Sequence, residues 1–191
     1  MSKMKYIRQI EEFQPSCAQE AADKAIVLDI CARFGDILTR ANLTCHITSS
    51  GLILNEGKDK MLMVHHNIYR TWTWTGGHAD GEEDLEGIAL REAAEETGVA
   101  AVELLLPDMA SLDILPVFGH VKNGKYISAH LHLNASYLLQ ASEKEALAVR
   151  AGENTAVVWA PLAEVAGRSK EPELIRVFGK MLSRLDIALP L

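Results

Sequence analysis

Only three cysteines occur in 191 residues, Cys17, Cys31 and Cys45, with no CxxC pair and no cysteine–histidine cluster of zinc-finger spacing. A dispersed odd set excludes a disulfide-built fold, and these residues read as reduced thiols with no part in catalysis. No apolar run approaches a membrane span, and the opening MSKMKYIRQIEEF carries basic residues without the apolar core of a signal peptide. The expectation is a cytoplasmic chain with no membrane partner. Positive charge is scarce as well: 19 Lys and Arg stand against 26 Asp and Glu, a net charge of -7. Such a surface does not attract nucleic acid, and no basic recognition helix suits a DNA-binding regulator. A small phosphorylated substrate held locally by metal ions remains compatible. The phosphate-binding patterns GxxxxGK[ST] and GxGxxG are missing, so a P-loop kinase or a Rossmann dehydrogenase has no footing.

What is present suits a globular chain, 48% hydrophobic and 24% charged. Its length fits one domain of about 100–150 residues with an extension. Apolar residues recur at helical intervals from Ile7 to Phe13 and through Ala22, Ile26, Ile30, Phe34 and Ile37. Residues 1–42 are therefore predicted to be a helical extension. Its apolar faces pack on the main body or across a homodimer. From residue 43 the runs turn strand-like: 45–54, then 61–65 after the polar turn 55–59. Runs at 112–121 and 126–140 flank Lys122-Asn123-Gly124-Lys125, a strong hairpin signal because Asn and Gly tolerate positive φ. A strand at 156–159 and an amphipathic helix at 172–185 complete the pattern. Mixed strands with a few helices imply an α/β or α+β sandwich. With no repeat or linker inside them, residues 43–191 read as one domain.

Residues 77–99, GHADGEEDLEGIALREAAEETGV, concentrate the chemistry. Asp84 suits an N-cap and Gly98 a left-handed C-terminus, which predicts a helix over 85–97. Glu92, Glu95 and Glu96 then share one face, opposite Leu90, Ala93 and Ala94. Like charges four residues apart disfavour an isolated helix by about 0.2–0.5 kcal/mol. A solvated acidic face is the ordinary outcome of such a run. A divalent cation reverses the sign, and Mg2+, which takes oxygen ligands, suits the cluster, with Mn2+ as the alternative ion. Gly76 and Gly77, followed by His78, would let backbone pass close to a ligand.

Together these positions resemble the Nudix box, G-x5-E-x7-R-E-U-x-E-E-x-G-U with U aliphatic. Here it runs Gly77, Glu83, Arg91-Glu92-Ala93, Glu95-Glu96, Gly98-Val99 with every spacing kept, Ala93 being a small substitute at its aliphatic site. Thr75 stands where many relatives have proline, which predicts a looser loop. The resemblance implies an α/β/α sandwich around a mixed sheet. It also implies metal-dependent hydrolysis of a diphosphate linkage by water attack on phosphorus. The substrate class is a nucleoside diphosphate joined to another group: a nucleotide sugar, an ADP-ribose-like compound, a dinucleotide or a noncanonical nucleoside triphosphate.

By the same resemblance Glu92 and Glu96 hold the metal, with Glu95 as the third ligand. Arg91 holds the acidic loop, with Glu83 as its partner, as a second-metal ligand or as a residue that positions the water. Gly76, Gly77 and His78 contact substrate. The general base is expected on a later loop, with Glu153 as the candidate ahead of Glu143 and Glu145.

His130 and His132 alternate on a predicted strand and face the same way. With no third ligand at a persuasive spacing, they read as contacts to phosphate or a hydroxyl rather than metal ligands. His65, His66 and His120 read as surface or strand-end residues. Trp72 and Trp74 read as core, with base stacking as the alternative. Two other readings stay open. One is a catalytically silent nucleotide-sensing module. The other is an isomerase on the same fold, which would want a cysteine in or after the box, where none stands.

Overall fold

The computed structural model describes residues 4–68, 70–122 and 124–190. In chain order it contains α1 (Lys5–Glu12), α2 (Ala18–Arg33), β1 (Cys45–Leu54), β2 (Lys60–His66), β3 (Thr71–Thr73), β4 (Thr75–His78) and α3 (Leu85–Thr97). There follow β5 (Glu103–Leu104), β6 (Ser111–Val117), β7 (His120–Lys122), β8 (Lys125–Ile127), β9 (His130–Gln140), β10 (Asn154–Pro161), α4 (Leu162–Arg168) and α5 (Pro172–Ser183).

The main sheet runs β10-β2-β1-β9-β5, with β3 on β2, β4 on β1 and β6 on β9. β1 and β9 are parallel, from Cys45↔Leu131 to Leu54↔Gln140, while the other pairs are antiparallel, so the sheet is mixed. Successive side chains of a strand point to opposite faces, and each face of this sheet has its own core. Ile47, Ile53, Leu62, Leu133 and Tyr137 pack with Leu85, Ile88, Ala89 and Ala93 of α3. Leu52, Leu54, Met61, Met63 and Leu138 pack with Leu162 and Val165 of α4 and with Leu174, Val177, Phe178, Met181 and Leu182 of α5. The result is the expected α/β/α sandwich. No helix among the described residues is long and apolar enough to cross a membrane.

The amino-terminal helices pack on this same chain. Tyr6, Ile10, Phe13 and Val27 are buried in the α3-side core. Glu20 of α2 is fully buried, and its carboxylate accepts from Ser16, Ser111, Lys180 and Arg184, joining α2 to β6 and α5.

The long hairpin departs from the expected two strands. β6 pairs with β9 up to Val117↔His130, and β7 pairs with β8 from His120↔Ile127 to Lys122↔Lys125, with the ladder broken between them. Beyond that break Phe118, Val121 and Tyr126 are exposed, so neither layer of the core holds the tip. Gly124 has φ +75, as the turn requires, while Asn123 lies outside the described residues.

Candidate active site

α3 spans the predicted residues because both ends are fixed locally. The Asp84 side chain accepts from the Gly87 N–H at 3.2 Å, and Gly98 closes the helix at φ 78. Its buried stripe differs from the expected one. Leu85, Ile88, Ala89, Ala93, Glu96 and Thr97 are buried, whereas Leu90 and Ala94 are only partly covered. The small side chains of Ala89 and Ala93 let the helix lie close to β1, where the Ser49 hydroxyl donates to the Leu85 carbonyl at 2.6 Å.

Gly77 is the second fitted position. A Cβ there would stand 2.5 Å from the Glu92 carboxyl carbon, so any larger residue would push this carboxylate out of place. Thr75 does not loosen the loop. It is fully buried, pairs in register with Gly51, and its hydroxyl donates to the Gly51 carbonyl at 3.2 Å.

Carboxylate oxygens of Glu92, Glu96 and Glu153 lie within 4.8 Å of one another. Glu153, chosen from sequence as a residue outside the box, is thereby brought to the box helix. Glu96 is 8% exposed, and its Oε2 has no hydrogen-bond partner among the described residues. Burial, reinforced by the Glu92 and Glu153 charges, pushes its carboxyl up to about 8. Glu92 is also raised, by burial first, with Arg150 and Arg91 acting against the shift. A buried carboxyl with an unmet oxygen between two like-charged neighbours suits a divalent cation, and all the donors are the oxygens that Mg2+ or Mn2+ takes.

Glu95 is placed otherwise. Its carboxylate lies 2.7 Å from Arg150 Nη1, outside the three-carboxylate group. The same Arg150 nitrogen reaches Glu92 at 3.0 Å and Glu153 at 3.2 Å, so it is shared by all three carboxylates. Arg150 went unselected from sequence, and its position three residues before Glu153 was the one available signal. Arg91 pairs closely with Glu82, at 2.6 Å, rather than with Glu83, and lies 3.6 Å from Glu92 and 3.8 Å from Glu95. Glu83 instead accepts from the Lys5 backbone N–H at 2.7 Å, tying the box to α1. The competitors of Glu153 are engaged elsewhere: Glu143 with Lys60 and Asn55, Glu145 with the Ala100 N–H.

Beside this cluster opens a cavity of about 740 Å³ lined by Gly76, Gly77, His78 and Glu96. That is a volume suited to a nucleotide-sized ligand. Even-numbered residues of β1 and β9 form its wall: His46, Thr48 and Ser50 with His130, His132 and Asn134. Burial lowers His78 to about 4 and His132 to about 2, with neighbouring rings adding to the shift. Neutral at pH 7, these two rings cannot clamp phosphate by charge. Trp74 lines the cavity but is 7% exposed and packs edge-on to Phe178 at 5.3 Å, a core role first. Trp72 packs beside His65 and under the Arg168 guanidinium.

Residues 46–180 match the NUDIX domain family. The chain belongs to the Nudix hydrolases, enzymes that cut diphosphate linkages.

A Lactococcus lactis relative named a probable DHNTP pyrophosphohydrolase is 30% identical over 141 residues, 73% of this chain and 80% of that one. Among solved structures, a Caenorhabditis elegans Ap4A hydrolase in a binary complex aligns with a TM-score of 0.55 at 17% identity, over 73% of this chain and 97% of that one. The Escherichia coli dihydroneopterin triphosphate pyrophosphohydrolase aligns with a TM-score of 0.55 at 12% identity, over 72% and 95%. At these identities the two structures bear on the Nudix fold alone.

Proposed function

We propose that this Nudix hydrolase is a Mg2+-dependent pyrophosphohydrolase. Its substrate is a triphosphate or a substituted diphosphate whose flat heterocyclic group enters the cavity, and dihydroneopterin triphosphate is the first compound to test. The observation that carries the reading is the group formed by Glu92, Glu96 and Glu153, which reaches the cavity through Glu96. The name of the Lactococcus relative supports the substrate choice. Mn2+ is the alternative ion.

Glu92, Glu96 and Glu153 would hold the cation, and bound there it lowers the pKa of water and neutralises charge developing on the phosphate oxygens. The remaining work falls to the chain. Glu153, about half exposed, takes the proton of the attacking water, and Arg150 fixes its carboxylate beside Glu92. Arg91 orients the acidic loop through Glu82. Gly76 and Gly77 bring the β4 backbone to the substrate phosphates, and the neutral His78 ring offers hydrogen bonds to polar edges rather than charge.

A panel of dihydroneopterin triphosphate, nucleoside triphosphates, dinucleotides and nucleotide sugars, incubated with Mg2+ or Mn2+, tests this. Pyrophosphate released from a triphosphate is the expected product. Binding without turnover across the panel would instead place the chain among silent nucleotide-sensing modules.

A further inference from the structure

The cavity wall carries a second cluster that the Nudix box does not use. His46 on β1 lies opposite His132 on β9, and His130 precedes His132 by two residues, so all three side chains reach one face of the sheet. Ring centroids are separated by 4.9 Å for His46 and His130, 5.1 Å for His46 and His132, and 5.2 Å for His130 and His132. One ring nitrogen of each lies within 4.8 Å of the other two.

Hydrogen bonding decides which nitrogens are free. Nδ1 of His46 is 3.1 Å from the Asn42 carbonyl oxygen, and Nδ1 of His130 is 2.8 Å from that of Ser128. A carbonyl only accepts, so both Nδ1 atoms carry a proton, and Nε2 is the nitrogen each ring can offer to a ligand. Backbone carbonyls behind the rings fix tautomers in this way in metal sites. His46 is 5% exposed, and its Nε2 is buried with no hydrogen-bond partner among the described residues.

His130 Nε2 and His132 Nε2 are 3.3 Å apart. Two imidazole nitrogens bound at ~2.0–2.1 Å to one tetrahedral Zn2+ stand about 3.3–3.4 Å from each other. An N–H···N bond would explain the His130–His132 pair but would leave His46 Nε2 unmet.

We infer that His46, His130 and His132 form a binding site for one zinc-type transition ion, with its coordination completed from the cavity. Imidazole suits Zn2+, Co2+ and Ni2+, whereas Mg2+ takes oxygen, so this site and the carboxylate cluster select different ions. The two share no ligand, and the histidine site stands whether or not the proposed reaction is correct. His78, with its ring centroid 5.0 Å from those of His46 and His132, is the neighbouring imidazole within the same wall.

Titrating the chelator-stripped full chain with Co2+ tests the site. Wild type is expected to take up one equivalent with the intense visible absorption of a four-coordinate ion, to release it to one equivalent of Zn2+, and to keep it in excess Mg2+. Outer-shell changes at such sites cost 10–100-fold in affinity, so loss of a ligand in His130→Gln should weaken Co2+ binding about 100-fold or more. Glu96→Gln should leave Co2+ binding unchanged. X-ray absorption of the Zn2+-loaded wild-type protein, which needs no variant to fold, should show imidazole scattering. The inference is overturned by no Co2+ uptake in wild type, by an oxygen-only shell, or by binding that Glu96→Gln abolishes and His130→Gln leaves intact.

Discussion

Replacing Glu20 by alanine should destabilise the protein strongly, because this carboxylate is a fully buried charged tie between the amino-terminal helices and the Nudix fold. It is fully buried and faces Ser16 N at 2.6 Å, Ser16 Oγ at 2.9 Å, Ser111 Oγ at 3.1 Å, Arg184 Nη2 at 3.1 Å and Lys180 Nζ at 3.2 Å. Lys180 would keep Asp113 at 2.5 Å, while Arg184 would be left with the Gln14 carbonyl and the Phe13 ring among the described residues. Removing one partner of a buried charge network costs about 3–5 kcal/mol. For a chain of this length each kcal/mol moves the melting temperature by about 2–4 °C, so Glu20→Ala should melt about 6–20 °C lower at pH 7.

The effect should also depend on pH. Burial alone would raise the Glu20 carboxyl, but the Ser16 N–H, Lys180 and the Ser16 hydroxyl outweigh it and hold it below its ordinary 4.5. A depressed folded-state pKa gives stability that is full above the unfolded value and lost as pH falls through the folded value. The gap in melting temperature between wild type and Glu20→Gln should therefore be widest above pH 4.5 and close on further acidification. Melting followed by circular dichroism across pH measures this. A Glu20→Ala protein that melts within about 2 °C of wild type at pH 7 would refute the reasoning.

Three further variants carry expected outcomes. Arg150→Ala removes a cation from three carboxylates; a unit charge at about 4 Å is worth up to about 4 kcal/mol near a protein surface, and with solvent screening calorimetric Mn2+ affinity should rise about tenfold. Hydrolysis should fall in the same variant, because Glu153 loses its orientation. Gly77→Ala drives a methyl group into Glu92, at about 1–3 kcal/mol of overpacking, and should reduce kcat far more than it lowers Tm. Phe178→Ala empties the α5-side core beneath Trp74 and should cost about 3–5 kcal/mol in urea unfolding, with the Mg2+ requirement of hydrolysis unchanged.

Features governed by neighbours in the chain were legible in the sequence. Asp84 and Gly98 marked the ends of α3, though not which of its apolar residues would be buried, and the box spacing singled out Glu92 and Glu96. Features set by which strands lie together were not. His46 joins His130 and His132 through a parallel pairing across more than eighty residues, which no local pattern announces. Glu82 and Glu83 are adjacent acids; the close Arg91 pair goes to Glu82 because α1 engages Glu83 through Lys5. Arg150 acquires meaning only once its loop has brought Glu153 to α3. The burial of Glu96 could not be read from helical spacing, because an acidic face looks solvated until a sheet covers part of it.

The central claim is that Glu96 and its two carboxylate neighbours hold the ion that hydrolysis requires. Its most direct test is the Mg2+ dependence of pyrophosphate release in wild type and Glu96→Gln, measured side by side with melting curves to confirm folding. The account predicts that chelation abolishes wild-type turnover, that Mg2+ restores it, and that folded Glu96→Gln stays inactive at any Mg2+ concentration. Full activity in Glu96→Gln, or wild-type turnover that persists in chelator, would contradict it.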